Sequence, residues 1–149
     1  MVGLDYYSPW RKDAPDLHKS IGLVLLGVML LRVLWRFISP PPPAPVSHGS
    51  LTRLASKAGH GLLYLGLFAV MIAGYLISTA DGVGIPVFGL FEVPALVSNL
   101  PDQADVAGEI HFYLAWGLVI FAGLHGLAAL KHHFIDRDAT LTRMLGRKA

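Results

Sequence analysis

Residues 110–130 read IHFYLAWGLVIFAGLHGLAAL, a run without Lys, Arg, Asp or Glu. It is long enough for the roughly 20 apolar residues that a helix needs to cross a hydrocarbon layer. Two imidazoles, His111 and His125, interrupt it near its ends. A span that excludes every formal charge yet keeps two titratable rings decides both the fold class and where function is to be sought.

Two further stretches have the same character. Residues 21–38 are apolar apart from Arg32 and Arg36, and residues 61–79 carry no charge at all. All three must be helices, because unpaired strand edges and loops are not tolerated against lipid. The composition agrees: 54% of the 149 residues are hydrophobic and 15% are charged, against about 25% charged in a typical soluble domain. A mean hydropathy of +0.54 places more apolar surface in the chain than one small core can bury. The expected fold is therefore all-α: an integral membrane bundle forming one domain, 1–149, with spans at about 18–38, 59–79 and 108–131. Glycines on these spans, among them Gly22, Gly27, Gly66, Gly74, Gly117, Gly123 and Gly126, suit close helix packing and leave room for a flat group.

The chain has no cysteine, which excludes disulfides, thiolate metal sites and covalent haem attachment. Its net charge of +2 is too small and scattered for nucleic acid. The distribution of charge sets an expected orientation. Asp81, Glu92, Asp102, Asp105 and Glu109 occupy the connection between the second and third spans, which has no Lys or Arg; that side is expected outside. Arg36, Arg53 and Lys57, with Lys131, Arg137, Arg143, Arg147 and Lys148 of the tail, are expected in the cytoplasm, as is the C-terminus, in a bacterial plasma membrane. The N-terminus then falls outside, an awkward start without a signal peptide. The segment SPPPPAP at 39–45 is expected to be a stiff spacer. The Gly- and Pro-rich outer connection is expected to lie on the membrane surface and cap the bundle, and Leu100-Pro101-Asp102 reads as a helix start.

His111 and His125 are fourteen residues apart, roughly 21 Å and about 3.9 turns along a helix, so they point to nearly the same side. Threading places His18 at the level of His111, and His60 at the level of His125. Matched pairs of imidazoles at two depths suit the axial ligands of two stacked haems, and ligation on both faces suits electron transfer rather than oxygen binding. Gly22 and Ala115, one turn beyond His18 and His111, would let a porphyrin lie against the helices. Plainer accounts stand beside this one. A membrane histidine can merely hydrogen-bond to a neighbouring helix; His60 is open between haem ligand and packing or quinone contact. His48, His132 and His133 are expected at the interface. Arg32 and Arg36 either snorkel or meet a haem propionate. Arg11, Lys12 and Lys19 around His18 either steer a small anion or balance Asp13 and Asp16.

The stretches LHKSIG at 17–22, Leu31-Arg32, Pro41-Pro42-Pro43, Gly59-His60, His111, Gly123-Leu124-His125 and His132-His133-Phe134 together resemble the prokaryotic cytochrome b561 family, relatives of the cytochrome b subunits of nickel–iron hydrogenases. The resemblance runs from about Asp16 onward. It implies a four-helix bundle with two b-type haems that exchanges electrons with the quinone pool; one branch oxidises superoxide and reduces ubiquinone. It carries His18, His111 and His125 over as ligands of haem iron; one or two haems b are expected, the inner one held by His125 with either His60 or a histidine of the family's first helix. Met1-Val2-Gly3-Leu4 resembles the end of that helix, so a late start codon or a truncated product is expected, which also accounts for the exported N-terminus. The expected function is a membrane b-type cytochrome linked to quinone, with superoxide:quinone oxidoreduction as its sharpest form. A haem-bearing relay subunit of a dehydrogenase or hydrogenase, and a haem-free scaffold, are the alternatives. The oligomeric state is not legible.

Overall fold

A computed structural model describes residues 10–39 and 49–137. Three long helices, α1 (Trp10–Ile38), α2 (Ser50–Ser78) and α3 (Gln103–Phe134), carry between the second and third a pair of short strands, β1 (Ile85–Val87) and β2 (Phe91–Val93). Each helix is long and apolar enough to cross a membrane. Few of their residues are shielded by protein: in the most apolar window of α3 none is buried. Apolar side chains such as Leu65, Tyr113, Val119 and Leu127 stand exposed, a surface suited to lipid. The all-α membrane fold expected from the sequence is the one observed.

The helices start earlier than their apolar runs. Helix α1 begins at Trp10 and contains Pro15, which removes one backbone hydrogen bond in its second turn. Helix α2 begins at Ser50, and α3 follows Leu100-Pro101-Asp102 as expected. The proline spacer beyond Ser39, His48, the side chains of Arg11 and Lys12, and Arg143, Arg147 and Lys148 lie outside the described residues.

The chain divides into two compact units, Met1–Pro40 with Phe68–Tyr113, and Pro41–Leu67 with Leu114–Ala149. In the first, the connection expected to lie flat contains an antiparallel hairpin with Ile85 opposite Val93 and Val87 opposite Phe91. Its turn uses positive φ at Phe88 (50°) and Gly89 (70°), closed by the Leu90 amide donating to the Val87 carbonyl at 2.9 Å. Three residues, Phe88 to Leu90, thus join the paired ends Val87 and Phe91. Ile85 and Val87 are 2% and 1% exposed, so one face of β1 is core.

Polar side chains fasten this connection to the helix ends. Thr79, fully buried, donates to the carbonyls of Tyr75 and Val97. The Tyr75 hydroxyl donates to the Pro94 carbonyl at 2.8 Å and accepts from the Leu96 amide at 2.7 Å. Buried Gln103 donates to the carbonyls of Leu76 and Val97 and accepts from the Leu100 amide. In the second unit, Lys131 and His132 at the end of α3 meet Asp136 at 2.6 Å and 2.8 Å. The hydrogen bond from Lys131, with help from His132, holds the Asp136 carboxyl below its usual range. This exposed closure is therefore complete at neutral pH and is lost as the pH falls through that lowered value.

Gln103→Leu leaves the Leu100 amide and the Leu76 carbonyl short of a partner. It is expected to cost about 1–3 kcal/mol, read as a lower melting temperature of the detergent-solubilised chain; an unchanged melting temperature would show that the connection does not depend on this clamp.

Candidate haem-binding site

The less exposed stripe of α3 runs through Ala107, His111, Leu114, Leu118, His125 and Ala129, a spacing of three, four or seven residues that marks one helix face. Both span histidines therefore lie on the covered side. The matching stripe of α2 carries Gly59, Leu63, Gly66, Val70, Ala73 and Gly74.

In the first unit, the rings of His18 and His111 approach to 6.0 Å between centroids, with an interplanar angle of 88°. Two imidazoles bound to opposite sides of one metal, at about 2 Å each, stand roughly 6 Å apart between centroids. Nδ1 of His111 lies 2.8 Å from the Val70 carbonyl. A carbonyl only accepts, so Nδ1 carries the proton and Nε2 keeps its lone pair for a ligand. The same ring lies against Gly74: a Cβ there would stand 3.0 Å from Cε1 and 3.2 Å from Nδ1 of His111. Nothing stands within 4 Å of a Cβ placed at Gly22, which leaves the space one turn beyond His18 open. Helix α1 packs closely against β1, and its His18 ring meets that of His111 on α3.

In the second unit, His60 and His125 lie 5.0 Å apart between centroids at 76°. This pair is closer by about an ångström than trans ligation of one metal requires. His125 packs against Gly59, where a Cβ would stand 3.5 Å from Nδ1, an ordinary contact. The four histidines singled out in the sequence are thus brought together as two pairs. Among the described residues, no three His, Cys, Asp or Glu side chains converge to hold a bare ion. The His18–His111 pair instead fits an iron whose other ligands come from a porphyrin.

Other expectations resolve locally. Lys19 pairs with Asp16 at 2.7 Å, so its charge is balanced within α1 rather than offered to an anion. His132 faces Asp136. The Val70 carbonyl and the contact between Gly74 and His111 were missed by sequence reasoning. A glycine about one turn before the end of an apolar helix signals only close approach, without naming the approaching group.

An all-α membrane chain with histidines paired between helices is the architecture of a b-type membrane cytochrome. The sequence model of the prokaryotic cytochrome b561 family matches residues 1–147. The chain is 57% identical over 149 residues to cytochrome b561 homolog 2 of Escherichia coli K12, covering all of this chain and 79% of the relative. It is 34% identical over 142 residues to a probable superoxide oxidase, CybB, of Yersinia pestis, covering 95% of this chain and 78% of that protein. Cytochrome b561 homolog 1 of Escherichia coli K12 is 26% identical over 139 residues, covering 89% and 75%. The chain belongs to the prokaryotic cytochrome b561 family. It is a bacterial membrane protein of electron transport, and membership implies a b-type haem.

Gly74→Ala must displace the His111 ring, whereas Gly59→Ala can be accommodated. The first substitution is expected to move the ¹⁵N resonance of His111 Nδ1 and the second to leave that of His125 in place. Equal, small effects would show that Gly74 does not seat the ring.

Proposed function

We propose that the chain carries electrons between a donor and the membrane quinone pool through haem b held by His18 and His111, with a second haem on His125 and His60, whose rings must part by about an ångström to admit it. The observation that carries this reading is the 6.0 Å approach of the His18 and His111 rings with Nδ1 of His111 engaged by the Val70 carbonyl. When bound, haem supplies a one-electron couple that no side chain here provides. The chain's own residues do the positioning. Val70 fixes the tautomer and orientation of His111 and raises the basicity of its free nitrogen. Gly74 admits the ring, and Gly22 leaves the neighbouring surface of α1 flat. The apolar helices keep the surroundings at low dielectric. No general acid, base or nucleophile is required. The same asymmetry of Lys and Arg supports an outer location for the hairpin connection and a cytoplasmic C-terminus.

The donor we propose is superoxide, supported by the 34% identical probable superoxide oxidase. In the net reaction two superoxide ions each lose one electron to give dioxygen, and a quinone takes both electrons with two protons to give quinol. The pairing of Lys19 with Asp16 leaves anion steering a minor part.

Haem per polypeptide, with the reduced-minus-oxidised spectrum, tests the ligand set. His18→Ala and His111→Ala are each expected to remove the outer haem, and His125→Ala the inner one. Unchanged haem in both outer variants contradicts the pairing. With enzymatically generated superoxide and a soluble quinone, the parent protein is expected to become reduced and to yield quinol; neither response contradicts the donor.

A further inference from the structure

We infer that Ser20 is a positioning residue for the outer histidine pair, acting by locking α1 to the tip of the hairpin. This inference rests on the reading of His18 and His111 as haem ligands. Ser20 is 2% exposed and lies two residues beyond His18. Its hydroxyl accepts the Phe88 amide at 3.1 Å, while its proton faces the Asp16 carbonyl at 2.9 Å and the Pro86 carbonyl at 3.3 Å. A serine that only bonded back to its own helix would need no partner 68 residues away in sequence. Phe88 meets it with φ at 50°, a conformation that a bulky side chain rarely adopts and that a fixed partner must hold in place.

Just beyond the hairpin, Tyr75, Thr79 and Gln103 bind the carbonyls of Pro94 and Val97 to the ends of α2 and α3, and α1 packs closely against β1. The bonds of Ser20 thus tie α1, two residues beyond His18, to the turn of the hairpin. A fixed anchor at this point holds the His18 ring at its place opposite His111.

The test compares the full-length parent, Ser20→Ala, Ser20→Thr and His18→Ala, purified from membranes. The readouts are haem per polypeptide, the low-temperature electron paramagnetic resonance spectrum of the oxidised protein, and the rate of haem transfer to apomyoglobin. Ser20→Ala is expected to shift the outer low-spin signal and to release that haem about tenfold faster, the scale of a lost supporting contact at a metal site. Ser20→Thr, which keeps the hydroxyl, is expected to restore the parent's signal and rate. A Ser20→Ala protein with the parent's spectrum and release rate overturns the inference, and so does equal loss in the alanine and threonine variants. If the parent binds no haem, or His18→Ala keeps its outer haem, the ligand reading fails and takes this inference with it. A His18→Ala protein without outer haem beside a parent-like Ser20→Ala protein sinks the inference alone.

Discussion

An imidazole inside a hydrocarbon layer must find a polar partner, because lipid offers none. The structure is organised around this constraint at His111. One ring nitrogen meets the Val70 carbonyl, the ring lies on Gly74, and the His18 ring stands opposite. Satisfying Nδ1 alone would have required a single donor–acceptor pair. Under the proposed function, the His18 ring at the same level shares a ligand with His111.

The polar content of the rest of the first unit is concentrated at the connection between α2 and α3. Buried Thr79 and Gln103, with Tyr75 and Ser20, satisfy backbone groups that a non-helical segment would otherwise leave unpaired, as buried backbone requires. The same bonds give the connection a fixed shape, so a loop of apolar and turn-forming residues becomes a brace between helices. The spans themselves are left free to present apolar side chains to lipid, and their glycines admit rings at Gly59 and Gly74 and a close contact with Leu118 at Gly66.

Much of this was legible in the sequence. Lipid restricts backbone to helix, so charge-free runs alone give the three spans, and Leu100-Pro101-Asp102 marks the beginning of α3. Helical periodicity places His111 and His125 on one face, and threading matches His18 and His60 to them. The hairpin was not legible. Its strands are three residues long, β1 contains Pro86, and its turn places Phe88 where Asn or Asp is the usual signal. The Val70 carbonyl could not be foreseen because every residue has one. The early starts of α1 and α2 were hidden because Pro15 and the charged residues Arg53 and Lys57 lie before the apolar runs. Ser20 looked like one of many small polar residues until the distant Phe88 amide was placed against it.

The central claim is that histidines from different helices ligate the same iron. Electron paramagnetic resonance of the oxidised, purified chain tests it most directly, because the spin state reports how many axial positions are filled. The account predicts low-spin ferric haem with strong imidazole ligands on both faces. A high-spin spectrum from the outer site, or a protein without haem, would contradict it.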